Sequence, residues 1–223
     1  MTTSMIAASL LMNRKGLNLE LLHKRVCFLH DEIVARGGLI QVNIRPTLKI
    51  VQTCSSYLKD FIDDGKGIYR PSEKHGERSI MMLAYYKNNL THIFINEAEI
   101  ACALLGLGAS QKLAEGIPIE QVWQKAQLLK SFLNEEFMVR DTMKTLADFT
   151  KQINFMQSRN FLSKAPSEIV KANIEGEQQQ LAFSFLSTLI LPFIETYLFT
   201  LAFLSTPQAR SNVYEDKALY RKI

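Results

Sequence analysis

The stretch Ser79–Gly108, SIMMLAYYKNNLTHIFINEAEIACALLGLG, joins the most regular apolar pattern in the chain to its densest group of polar aromatics, amides and a histidine. Ile80, Leu83, Tyr86 or Lys87, Leu90 and Phe94 recur at helical spacing, with Ser79 placed to cap the first turn. Asn96 with Glu99 three residues on has the form of a capping box. Ile100, Ala103, Leu104 and Leu107 then continue the stripe to the closing glycines. The pattern predicts two helices meeting near Ile95, and a buried helix pair at the centre of the fold.

Working outward towards the N-terminus, Ser4 to Met12 reads as a first helix that exits through Asn13–Gly16. Asn18 caps a second helix running through Ala35, whose Leu22, Val26, Leu29 and Ile33 share one face, and Gly37–Gly38 ends it. Leu39 to Ile44 alternates as a short strand would. Pro46 permits a helix start, with Leu48, Val51, Cys54, Leu58 and Phe61 as its stripe. Asp63–Gly67 is a turn without the glycine spacing of a phosphate loop, and Ile68–Arg70 reads as a short strand.

On the other side of the central stretch, Pro118 opens a helix with Ile119, Val122, Trp123, Ala126, Leu129, Leu133 and Phe137 along one side. Trp123 is expected to anchor packing. Asp141 is placed to cap the next helix, with Leu146, Phe149, Ile153 and Met156 inward. Phe161–Leu162 and Ile169–Val170 flank a Ser-Lys-Ala-Pro-Ser connector compatible with a small hairpin, and the helix with its hairpin resembles a winged module. Glu135 and Glu136 are adjacent and diverge on a helix, so they do not form a paired acid/base site. The tail from Ser205 to Ile223 reads as a short amphipathic helix.

Leu181–Leu204, LAFSFLSTLILPFIETYLFTLAFL, carries one charged residue and is long enough to cross a hydrocarbon layer of about 30 Å. Pro192 removes a helical donor and Glu195 needs a partner when buried, which divides the run into two short halves. A bent, largely protein-buried helix pair is expected, ahead of a helix resting in the membrane face or a true span.

The 223 residues are 47% hydrophobic, enough for a substantial core, and the net charge of +4 is mild and scattered. That balance favours an anionic membrane weakly and does not supply a nucleic-acid patch, so no nucleic-acid partner is expected. Cys27, Cys54 and Cys102 are odd in number and unpaired in spacing, as buried thiols of a reducing compartment are. No zinc spacing exists among Cys and His, and neither metal nor cofactor is expected. The expected fold is mainly α, with multi-helix bundle-like packing, one or two short β hairpins and winged-helix-like parts. Residues 1–108 and 118–223 are expected as N- and C-terminal helical parts, either as two domains or as one continuous domain.

The runs LLMNRKG, DEIVARGG, YYKNNLTHIF, SFLNEEF and EGEQQQLAFSFLSTLILPFIETY, in this order over nearly the whole chain, resemble the C-terminal region of the glycerol-3-phosphate and dihydroxyacetone-phosphate acyltransferases. In that family an upstream domain transfers an acyl group from acyl-CoA, or from a carrier protein in bacterial members, to an sn-1 hydroxyl. A His acts as general base and an Asp five positions later orients it. Here His23, His30, His75 and His92 are followed at that distance by Phe28, Ala35, Ile80 and Glu97, and the GxxFIRR-like and FxEGxR-like phosphate blocks are not found.

The resemblance therefore implies an accessory, structural or regulatory region of a glycerolipid acyltransferase, inactive alone and without catalytic residues of its own. The alternative is a free-standing helical protein that binds an acyltransferase or a membrane surface. Its implied partners are an upstream or separate catalytic domain and a membrane surface. The implied location is cytosol-facing and membrane-associated, at the mitochondrial outer membrane, endoplasmic reticulum or peroxisome in a eukaryote. A 223-residue stretch of this kind is expected to be either a native short protein or a piece of the longer enzyme. The residues expected to make domain contacts are Tyr85, Tyr86, Lys87, Asn88, Asn89, His92, Glu195 and Tyr197. Glu195 is expected either to pair with an upstream arginine or lysine, or to accept from Tyr85, Tyr86 or Tyr197, or simply to mark the wet face of a helix end.

Overall fold

A computed structural model describes residues 1–38, 44–108, 110–134, 136–137 and 143–206. The chain opens with α1 (Thr2–Met12), β1 (Leu17–Asn18), α2 (Leu19–Ala35) and α3 (Leu48–Ser56). It continues through β2 (Ile62–Asp63), β3 (Ile68–Pro71) and α4 (Glu77–Asn88). The Asn18 side chain accepts from the Leu21 amide at 2.8 Å, so the cap read from the sequence starts α2 where expected. Thr47, one residue after Pro46, caps α3 through the Ile50 amide.

After α5 (Thr91–Leu107) and α6 (Ser110–Glu115), the same order of elements returns. β4 (Ile117–Pro118), α7 (Ile119–Leu133), α8 (Leu146–Ser158), β5 (Leu162–Ser163), β6 (Ile169–Ala172) and α9 (Glu177–Leu204) follow. Both halves run helix, strand, helix, helix, hairpin, helix. Their sheets are antiparallel with equivalent orders, β1-β3-β2 and β4-β6-β5. Their registers correspond too: Leu17 faces Tyr69 as Ile117 faces Val170. This is winged-helix topology, present twice.

The likeness extends to residues. Gly16-Leu17-Asn18-Leu19-Glu20 aligns with Gly116-Ile117-Pro118-Ile119-Glu120. Leu22, Val26 and Ile33 on α2 are buried, as are Val122, Ala126 and Leu133 at the matching places on α7. Gly16 and Gly116 both take positive φ, +106° and +111°. A Cβ there would sit 2.5 Å from Ile68 Cγ2 and 2.2 Å from Ile169 Cγ2, so the wing strand closes over a residue that has to lack a side chain.

The two copies share one core, in which α1 packs on α4 and α5 packs on α7 and α9. Phe94, Ile95, Ala98, Ile100, Ala101 and Ala103 on α5 are buried. The central helix pair expected from Ser79–Gly108 is present, but its details differ. The chain bends by 98° between α4 and α5 at Asn89–Leu90, not near Ile95. Ser79 lies inside α4 with its hydroxyl buried, and Asn96 and Glu99 lie within α5. The capping pattern was outweighed because Phe94 and Ile95 bury more apolar surface as part of one continuous central helix. Asn88-Asn89, weak helix formers, mark the real break.

Towards the C-terminus, the Leu181–Leu204 run is one helix with Pro192 inside it, and only its first half is buried. The largely protein-buried helix pair expected there is corrected accordingly. Thr145 caps α8, through the Asp148 amide. Residues 39–43 of the strand expected at Leu39–Ile44, Asp141, Glu135 and residues 207–223 of the expected tail helix lie outside the described residues.

Candidate functional site

Helix α9 begins in the core and leaves it. Phe183, Phe185, Leu186, Leu189 and Ile190 are buried, and Phe185 meets Phe94 of α5 edge-on, with centroids 5.2 Å apart. At the exit, Pro192 cannot donate to the carbonyl four residues back, that of Thr188. The buried Lys87 of α4 fills the gap, its Nζ donating to Thr188 O at 2.7 Å. Burial lowers Lys87 to about 8, so the group sits on the edge of neutrality at this carbonyl. On the neighbouring turn the Cys102 thiol reaches Ser187 O at 3.5 Å, and burial, reinforced by Glu99, pushes it up to about 12.

Beyond Pro192 the helix is apolar and exposed. Leu198, Phe199, Leu201, Phe203 and Leu204 are each about half to three-quarters exposed, Phe199 the most at 75%. Its hydroxyls are turned onto the backbone: Thr196 donates to Pro192 O and Thr200 to Thr196 O, both at 2.8 Å. The Tyr197 hydroxyl donates to Glu136 Oε1 at 2.5 Å, and Phe137 packs edge-on against Phe193 at 4.9 Å. A helix surface of this kind loses little hydrogen bonding to water when it is covered by lipid or by an apolar protein face.

Among the described residues, α9 is long and apolar enough to cross a membrane, and the bent α4–α5 pair passes the same test when taken together. The outer half of α9 is roughly 20 Å long at 1.5 Å per residue, short of the ~30 Å hydrocarbon thickness. Crossing would require Phe185, Leu186 and Leu189 to leave the core.

The expected polar residues fall on both sides of this junction. Tyr85 is exposed and edge-on to the half-buried Tyr86 at 5.9 Å. Asn88, Asn89 and His92 are exposed around the α4–α5 bend. Glu195 is exposed on the outer half of α9, and its neighbour Tyr197 bonds Glu136. His92 and Glu97 do not converge, since Glu97 turns inward to Arg36. Lys87 and Tyr197 are thus the residues of this group that tie α9 to the rest of the protein.

Sequence reasoning missed an ion-pair cluster between the two copies. Arg36, the C-cap of α2, donates from Nε to Glu97 Oε1 and from Nη1 to Glu32 Oε2, each at 2.7 Å. Arg159, just after α8, clasps the other side of Glu32, and that hydrogen bond outweighs desolvation and raises the guanidinium pKa. Arg36 also lies over the rings of Phe94, Phe155 and Phe161 at 4.5, 5.1 and 5.4 Å. The Glu32–Arg36 spacing of four was the only local signal.

A nucleophilic dyad is not assembled either. Cys27 Sγ approaches His23 Nε2 at 3.3 Å, but that nitrogen is also 2.8 Å from Pro46 O, to which it has to donate. Burial raises the Cys27 thiol despite Arg45 nearby. Among the described residues no group of three Cys, His, Asp or Glu is arranged to hold a metal ion.

No curated protein sequence matches the chain. The sequence model described as the glycerol-3-phosphate acyltransferase C-terminal region matches residues 1–222. The described helices from α1 to α9 share one core, and the protein belongs to the family of glycerol-3-phosphate acyltransferase C-terminal regions.

Proposed function

We propose that this chain is the accessory region of a glycerolipid acyltransferase, docking on a catalytic domain through the exposed outer half of α9. That domain, upstream in the same polypeptide or on a separate one, transfers acyl from acyl-CoA to the sn-1 hydroxyl of glycerol-3-phosphate or dihydroxyacetone phosphate. The accessory region supplies no reacting group and acts by position, holding the catalytic domain in its working arrangement at a cytosol-facing membrane. The observation that carries this reading is the apolar surface of Leu198, Phe199, Leu201 and Phe203, whose neighbouring hydroxyls are already satisfied within the protein.

The same surface, with a net charge of +4, also favours a second reading, a free-standing protein that settles on an anionic membrane. Co-expression with a family catalytic domain separates them. Docking predicts co-purification and acyl transfer by the complex but none by this chain alone. Replacing Leu198 and Phe199 with Ser should abolish co-purification. Acyl transfer by the isolated chain would overturn the accessory reading. Flotation with anionic vesicles and no capture of the catalytic domain would establish the membrane-binding alternative.

A further inference from the structure

A cavity of about 340 Å³ lies between α1, α2 and the first turns of α9, away from the outer half of that helix. Its volume is at the lower end of the ~300–1,000 Å³ usual for small-molecule sites. Met12, Leu21, Phe28, Leu29, Leu181 and Phe185 line it with apolar surface. The lining holds two cations, the exposed Lys24 and the half-buried Arg25. The Arg25 Nη1 is shielded from water and has no hydrogen-bond partner, a costly state for a guanidinium nitrogen. Burial lowers the Arg25 pKa, and the Coulombic field of Glu177 opposes that shift without an ion pair between them among the described residues.

The polarity of the cavity has a direction. Glu177 and Gln178, on the first turn of α9, line the cavity together with Arg25. Leu181 and Phe185 follow one and two turns deeper. We infer that the cavity binds a single-chain amphiphile with an anionic head, a carboxylate or a phosphate monoester. Its head would pair with the Arg25 guanidinium, turning it so that its vacant donor is used, and its chain would lie along Phe28, Leu29, Leu181 and Phe185. Guanidinium matches both heads by paired donation. Glu177 is the internal competitor for the same cation. This site does not depend on where the outer half of α9 docks.

Isothermal titration of the full chain with dodecanoate, dodecyl phosphate, dodecanol and inorganic phosphate, each kept below its micellar concentration, tests the assignment. One dodecyl phosphate or dodecanoate should bind per chain, the tighter of the two identifying the head group. Dodecanol should bind at least tenfold more weakly and inorganic phosphate not measurably. Arg25→Gln should weaken the anionic amphiphile by about tenfold or more, the scale of a charge-assisted hydrogen bond. Glu177→Gln should tighten it. Ala182→Leu, which narrows the cavity beside Phe185, should weaken the chain-bearing ligands while thermal unfolding confirms a folded protein. Equal binding of dodecanol and dodecyl phosphate, or binding unchanged by both Arg25→Gln and Glu177→Gln, would overturn the inference.

Discussion

Lys87 Nζ donates at 2.7 Å to the Thr188 carbonyl, the acceptor that Pro192 leaves empty one helical turn later. A lysine on one helix thus completes the backbone ladder of another. Lys87→Met should cost about 1–3 kcal/mol by leaving that carbonyl buried and unsatisfied. Pro192→Ala restores an amide to the ladder, so the same lysine substitution should cost at least about 1 kcal/mol less in that background. A double-mutant cycle in urea measures the difference. Additive losses would mean that the lysine and the proline are not coupled.

Lys87 also makes stability depend on pH. Burial lowers it from 10.5 to about 8, so the folded chain releases this proton before the unfolded chain does. Between about pH 8 and 10.5 the unfolded state binds more protons, and the contribution of this site to stability rises with pH, by up to about 1.4 kcal/mol per unit. Below pH 8 both states are protonated and the desolvation cost is carried in full. Wild type minus Lys87→Met, compared at pH 7.5 and 9.5, should show this rise.

The cluster of Arg36, Glu32, Glu97 and Arg159 joins the two copies of the winged-helix topology. Arg36→Ala strips both buried carboxylates of a partner, and a loss of about 3–5 kcal/mol is expected. For a chain of this size that corresponds to roughly 2–4 °C in Tm per kcal/mol. Arg159→Ala, at a more exposed side chain, should cost less because Arg36 still holds Glu32. Calorimetry of the two variants checks the order.

The repeat makes a paired prediction at its turns. Gly16→Ala and Gly116→Ala each place a Cβ against a wing isoleucine at a positive φ, and each should destabilise by more than about 1 kcal/mol. Equivalent positions should give similar losses. A large loss at one and none at the other would show that the two wings are not held in the same way.

Much of the local structure was legible in the sequence. Asn18 as a cap, Gly37–Gly38 as a stop and the stripe from Ile119 to Leu133 are decided by neighbours within a few residues. The hairpin at Phe161–Val170 could be read from its turn residues. The identity of the region came from the order of its motifs, which no single helix carries. The duplicated topology was not legible, because apart from the glycine-led strand starts it survives as pairing order and register.

Tertiary structure alone decided the rest. Lys87 and Thr188 are 101 residues apart, Arg36 and Glu97 61, and Arg159 and Glu32 127. Caps and periodicities report what a segment does with its own backbone. Which charge enters the core, and which half of an apolar helix stays outside, depends on faces brought together from distant segments. Leu181–Leu204 reads as one apolar run in sequence, but α5 covers only the half before Pro192. The core that makes the first half of α9 structural also leaves much of the second half exposed.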